Sequence, residues 1–128
     1  MNILLDTHIF LWFIQGDSRL KKALRKEIEN KGNTVIFSGA GYWEICIKIS
    51  IGKLKLVKNW RKIVDDKLAE NNILWLEVKK DHMAQIVDLP WHHRDPFDRL
   101  LIAQALVEGF YLCSQDPSFS SYDVKLLS

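Results

Sequence analysis

The sequence predicts an α/β protein, one domain over residues 1–128 in which a central, mainly parallel sheet is covered by helices on both faces, a three-layer α/β/α sandwich. Three observations carry this. Short apolar runs rich in β-branched residues alternate along the chain with amphipathic helical patterns, the order that βαβ units produce. The run Ile3-Leu4-Leu5 is apolar at every position, as a strand buried on both faces must be. The length of 128 residues, 48% of them hydrophobic, suits one sizeable core and no second domain. No internal repeat, low-complexity segment or linker interrupts the pattern.

Taken in order, Asn2 to Leu5 is the first strand, and it ends abruptly at Asp6-Thr7-His8. Ile9, Phe10, Trp12 and Phe13 then begin a helix. Asp6 either caps that helix or, lying just past the carboxyl end of a buried strand, stands where open α/β sheets bind ligands. Gly16-Asp17-Ser18 breaks the pattern, after which Leu20, Leu24 and Ile28 mark an amphipathic helix. Its other face carries Arg19, Lys21, Lys22, Arg25 and Lys26, which form either a solvated surface or a patch for an anionic partner. Lys31-Gly32-Asn33 ends this helix, and Thr34 to Ser38 is the second strand. After Gly39-Ala40-Gly41, the helix from Tyr42 to Ile49 sets Trp43, Cys46 and Ile47 toward a core. Glu44 is the odd member, either turned to the surface or aimed into a polar site near Asp6. Gly52 to Leu56 reads as a basic turn or short extended arm, with Lys48, Lys53, Lys55 and Lys58 available to phosphates or a partner protein. Trp60 to Leu68 is a further amphipathic helix, stopped at Asn71-Asn72.

Ile73 to Val78 is a short third strand, followed by a helix carrying Met83, Ile86, Val87 and Leu89 and ended by Pro90. The loop Trp91-His92-His93-Arg94 leads into Asp95-Pro96-Phe97-Asp98-Arg99, where ionisable side chains run straight into an apolar helical pattern. Pro96 fits the first helical position, so Asp95 falls at the N-cap. One cap satisfies the local need, which makes Asp98 surplus to it and a candidate for a metal site. This helix extends to Gly109, a good C-cap residue. Phe110 to Cys113 is the fourth strand, Ser114-Gln115-Asp116-Pro117 follows it, and Val124 to Leu127 closes the sheet.

Asp6, Glu44, Asp98 and Asp116 thus fall just after strands or near helix starts, and right-handed connections gather them at the carboxyl edge of the sheet. Four unpaired carboxylates in one cleft repel one another, and a divalent cation relieves the conflict. An all-oxygen donor set suits Mg²⁺ or Mn²⁺, whereas zinc calls for clustered Cys or His. Such an ion polarises a phosphoryl oxygen and lowers the pKa of bound water, so the residues point to a metal-dependent phosphoesterase. Thr7 and Ser114 are candidate donors to these carboxylates, or else satisfy the local backbone. Arg99 is a possible accessory. His92, His93 and Arg94 either contact a phosphate, with a histidine moving a proton, or are simply exposed loop residues. Lysine and arginine exceed aspartate and glutamate by 18 to 16, and a net charge of +2 is too small to predict nucleic-acid binding alone. Cys46 and Cys113 lack metal-type spacing and read as buried reduced thiols of a cytoplasmic protein. No apolar run is long enough to span a membrane, and no basic leader opens the chain.

Together, Leu4-Leu5-Asp6-Thr7-His8, Ser38 through Trp43-Glu44-Ile45, His93-Arg94-Asp95-Pro96-Phe97-Asp98-Arg99-Leu100-Leu101-Ile102-Ala103-Gln104-Ala105 and Ser114-Gln115-Asp116 through Phe119 resemble a PIN domain of the VapC toxin kind. The resemblance spans essentially the whole chain. It implies a small α/β/α ribonuclease that uses Mg²⁺ or Mn²⁺, with Asp6, Glu44 and Asp98 matching the principal acids and Asp116 the fourth, more variable one. Asp95 matches an acid of the subgroup whose motif reads His-Arg-Asp-Pro-Phe-Asp. A cognate antitoxin and a homodimer are also implied. Two other readings stand beside it. A phosphatase with Asp6 as nucleophile commonly keeps a second acid two residues on, where His8 stands here. A non-catalytic RNA- or protein-binding module on the same fold would not need all four acids.

Overall fold

The computed structural model describes residues 1–128, all of the chain. Five strands and six α-helices follow one another as β1 (Asn2–Leu5), α1 (Thr7–Gln15), α2 (Lys22–Glu29), β2 (Thr34–Ser38), α3 (Gly39–Ser50), α4 (Trp60–Glu70), β3 (Leu74–Leu76), α5 (Lys80–Gln85), α6 (Pro96–Glu108), β4 (Tyr111–Cys113) and β5 (Leu126–Leu127). Two 3₁₀ turns, Ile86–Asp88 and Pro117–Ser121, extend α5 and follow β4. The sheet order is β3-β2-β1-β4-β5 and every neighbouring pair is parallel. The chain therefore winds outward from β1 in one direction through β2 and β3, then returns to the other side of β1 for β4 and β5. The gap between the carboxyl ends of β1 and β4 is the switch point of such a sheet, the place where α/β folds bind ligands.

Alternate residues of the strands feed two separate cores. Ile3, Leu5, Val35, Phe37 and Cys113 point to one face, where they meet Phe10, Leu24, Ile45 and Val64 from α1 to α4. Leu4, Ile36 and Leu112 point to the other, packed by Leu101, Ile102 and Ala105 of α6 with Phe119 and Tyr122. The register places Leu4 beside Ile36 and Leu112, so one layer of aliphatic side chains crosses three strands. This is why Ile3-Leu4-Leu5 lacks polar alternation: both of its faces are interior.

The helices begin and end where local chemistry dictates. Asp95 accepts from the backbone N–H groups of Phe97 and Asp98, and Pro96 follows it at the first helical position. Gly109 closes α6 at φ 73°, a left-handed conformation that costs glycine nothing, and Gly16 closes α1 at φ 63°.

Three expectations need correction. The third strand is only Leu74–Leu76, because β3 is an edge strand with its far side open; Leu74 and Trp75 stay exposed. The helix before Pro90 is short and tightens into a 3₁₀ turn, and Met83 and Val87 face solvent while His82, Ile86 and Leu89 turn inward. Trp43 lies outside the core at 56% exposure, in edge-to-face contact with Phe97. Both cysteines are free, Cys113 buried and Cys46 only partly so.

Candidate functional site

Because all strands run the same way, their carboxyl ends share one edge. Asp6 follows β1 there, α3 leaves β2 there, and Ser114-Gln115-Asp116 leaves β4 there. Helix α6 descends into β4, so its N-terminus, with Asp98 in the first turn, opens onto the same edge. Five acids from four separate segments meet here, Asp98 and four within electrostatic reach of it: the charges of Asp95, Glu44, Asp6 and Asp116 all act on Asp98.

Asp6 is 4% exposed and serves two ends at once. One oxygen accepts from the N–H of Ile9 at 2.7 Å, capping α1, while the carboxylate also takes a hydrogen bond from Ser114. Of the two alternatives for Asp6, the cap is observed, and the side chain that makes it also stands at the carboxyl edge of the sheet. Burial raises its pKa above the ordinary value, against those two hydrogen bonds, which lower it. Asp116 lies exposed across the switch point, where Oδ1 caps the 3₁₀ turn through Ser118 N–H.

Glu44 sits in the second turn of α3, 2% exposed. Its Oε1 accepts from the Thr7 hydroxyl at 2.7 Å and its Oε2 from the Lys48 ammonium at 2.6 Å. Burial would lower the Lys48 pKa, but Glu44, with Asp95 and Asp98 behind it, holds the pKa above the ordinary lysine value. Lys48 is therefore tied to the acids, while Lys53 and Arg94 are exposed.

Asp98 is pushed up to about 8, first by burial and then by the surrounding carboxylates. The one ion-pair contact of its side chain is with His93, whose Nε2 lies 3.5 Å from Asp98 Oδ2. The tautomer of that histidine follows from its neighbours. The Tyr122 hydroxyl oxygen accepts from Arg99 Nη1 at 3.1 Å and from His93 N–H at 3.2 Å, which uses both lone pairs. Its own hydrogen must then go to His93 Nδ1, 2.7 Å away. The proton of a neutral His93 is left on Nε2, buried, without a hydrogen-bond acceptor and facing Asp98.

Arg99 does not join the acids. It is 2% exposed and donates to the carbonyls of Pro90 at 2.7 Å and Leu89 at 3.1 Å, with its guanidinium 4.0 Å from the Trp91 ring. Five fixed donors suit it to pinning the loop before α6, and no carboxylate is left in its reach. Residues overlooked in the sequence supply a second buried polar chain. Ser38, the N-cap of α3, donates to Gln104 Oε1 at 2.5 Å, and Gln104 Nε2 reaches His82 Nδ1 at 3.2 Å. His82 Nε2 meets Glu108 Oε1 at 2.9 Å. This chain fastens the helix carrying Glu44 to the helix carrying Asp98. The spacing of His82 to Ile86 and Leu89, four and seven residues, was the available signal that His82 belonged to the inward face.

Two clefts flank His8. One of about 240 Å³ is lined by Asp6, Asp116, Gln115 and Trp12 among others; the other, about 270 Å³, by Thr7, Lys48 and Lys53. No three acid, histidine or cysteine side chains converge into a ready-made metal cage. At Glu44 the reason is direct, since both of its oxygens are already engaged. The donor chemistry nevertheless fits a hard divalent cation: four carboxylates, no thiolate among them, and an excess of negative charge that Lys48 only partly offsets.

The sequence matches the family model described as "PIN domain" over residues 3–125. The chain belongs to the PIN-domain family. Its structure is similar to that of VapBC2 from Rickettsia felis bound to a DNA fragment from their promoter, with TM-score 0.76, 17% identity and coverage of 99% of this chain and 98% of that one. It is also similar to VapBC-1 from nontypeable Haemophilus influenzae (TM-score 0.65, 18% identity, 100% and 98% covered) and to VapBC-5 from Mycobacterium tuberculosis (0.62, 17%, 98% and 97%). No curated protein matches the sequence. No helix is long and apolar enough to cross a membrane.

Proposed function

We propose that this protein is a metal-dependent endoribonuclease, the toxin of a toxin–antitoxin pair, with Asp6, Glu44, Asp98 and Asp116 holding Mg²⁺ or Mn²⁺. What supports the reading is that these acids, from four segments, lie at the carboxyl edge of a PIN-domain sheet, with Asp98 pushed up to about 8 by burial and then by the neighbouring carboxylates. A divalent cation bound there supplies electrophilic assistance at the phosphodiester and acidifies the attacking water. The chain's own residues do the rest. Thr7 orients Glu44 and Ser114 orients Asp6. His93 faces Asp98, its Nε2 3.5 Å from the carboxylate. Lys53 and Arg94, both exposed, hold the RNA backbone. The likeness to VapBC-5, a member of the VapBC family of toxin-antitoxin systems, supports a cognate antitoxin as partner, and a homodimer belongs to the same proposal.

The test is incubation of purified protein with a mixed cellular RNA pool in Mg²⁺, in Mn²⁺ and in chelator, beside the Asp98→Asn variant. Cleavage that requires metal and disappears in the variant supports the reading. RNA binding without cleavage under any condition would replace it with the non-catalytic module.

A further inference from the structure

Both oxygens of the buried Glu44 carboxylate are in use, and the two contacts differ in kind. The Thr7 hydroxyl is neutral, and a carboxylate that accepts from it still has its charge to offer a cation. The Lys48 ammonium, 2.6 Å from Oε2, is itself a cation, and the two charges compete for the same oxygen. Lys48 lies four residues after Glu44 on α3, one third exposed, on a flexible four-carbon stem. It also borders the 270 Å³ cleft shared with Thr7, His8 and Lys53, whose lining includes no acid. An ammonium leaving Glu44 therefore has open space to enter and nothing there to hold it.

We propose that Lys48 is an exchangeable place-holder: it neutralises Glu44 while no divalent cation is bound, and surrenders Oε2 when one arrives. This rests on the metal-dependent reading above. The exchange explains why the acids do not form a cage as they stand, since their most buried member is already paired. It also makes ion uptake a competition, so the apparent affinity of the site is reduced by the stability of the Lys48–Glu44 pair. Once released, Lys48 stands beside Lys53 at the cleft, and two cations face the approach of an RNA phosphate.

The experiment follows the lysine ammonium groups by ¹⁵N NMR while Mg²⁺ is added, with the Lys48 signal assigned by its loss in Lys48→Met. A hydrogen-bonded Lys48 signal is expected without metal and is lost at the ion concentration that calorimetry gives for binding. Calorimetry of Mn²⁺ should show Lys48→Met binding about tenfold tighter than wild type, and Lys53→Met, which removes the same charge from the same cleft, changing it less than threefold, because only Lys48 occupies a ligand oxygen. A wild-type Lys48 signal unchanged at saturating Mg²⁺ overturns the proposal, as does equal behaviour of the two variants. Should Lys48→Met prove unstable, Lys48→Gln, which keeps a neutral hydrogen-bond donor to Glu44, supplies both the assignment and the affinity comparison. Absence of any ion uptake by wild type is a separate outcome, which removes the metal-dependent reading itself and the exchange with it.

Discussion

At the scale of single residues, Asp98 contributes a pH dependence of definite sign, and the buried Asp6, whose pKa is also raised, acts in the same direction. The folded pKa of Asp98, about 8, lies far above its ordinary value of 3.8. Between those limits the folded chain binds a proton that the unfolded chain has lost, so stability must fall as pH rises through this window. Thermal melts in chelator should show wild type weakening from pH 5 to 8. Asp98→Asn should weaken less and melt at least about 4 °C higher at pH 8, while losing RNA cleavage. Parallel melting curves for the two proteins would place the pH dependence in other groups. Tyr122 is the second control at this scale, because its hydroxyl joins His93 to Arg99. Tyr122→Phe leaves two buried donors unpaired and should cost about 2 kcal/mol in urea unfolding, with cleavage reduced because His93 loses its fixed tautomer.

Among the elements, α3 and α6 matter most, since each carries one acid and each is held by contacts remote from it. Gly41 shows how little room α3 has: a Cβ there would lie 2.7 Å from Phe37 Cε1 and 3.0 Å from its Cζ. Phe37 cannot yield, being fully buried and stacked on Phe10 with ring centroids 3.8 Å apart. Gly41→Ala should therefore destabilise the protein by about 1–3 kcal/mol and displace Glu44, seen as a loss of metal affinity larger than the stability loss alone explains. Arg99→Met removes two charged hydrogen bonds to the loop before α6 and a third to the Tyr122 hydroxyl, and should cost roughly 3 kcal/mol. These elements were unequally legible in the sequence. The starts of α1 and α6 were plain, because Asp6 and Asp95 cap by contacts two or three residues away. Helix α5 was misread because its inward residue is a histidine, whose partners Gln104 and Glu108 lie 22 and 26 residues on. Period alone cannot show that a polar side chain has such partners waiting. The same limit made Arg99 look like part of the site: its acceptors are backbone carbonyls of Leu89 and Pro90, which have no residue signature. The gathering of the acids was readable only through the alternation of strands and helices, which sends every strand's carboxyl end to one edge.

For the molecule as a whole, the central position of β1 means that its first strand pairs with segments some thirty and one hundred residues later. Leu4, in the layer between Ile36 and Leu112, bears on all of these pairings, and Leu4→Ala should cost about 3 kcal/mol in a single cooperative transition. The stretch from Ile51 to Asn59, exposed except where Leu54 and Leu56 rest on the core and crossing the left-handed Gly52, divides the four acids evenly. Asp6 and Glu44 lie before it, and Asp98 and Asp116 after it. Neither portion owns a complete cluster, and each leaves strand edges and apolar faces bare. Expressed as two polypeptides broken in this stretch, neither half should cleave RNA alone, and mixing the two should restore cleavage only as they reassociate, which an RNA-cleavage assay of the separate and combined halves checks.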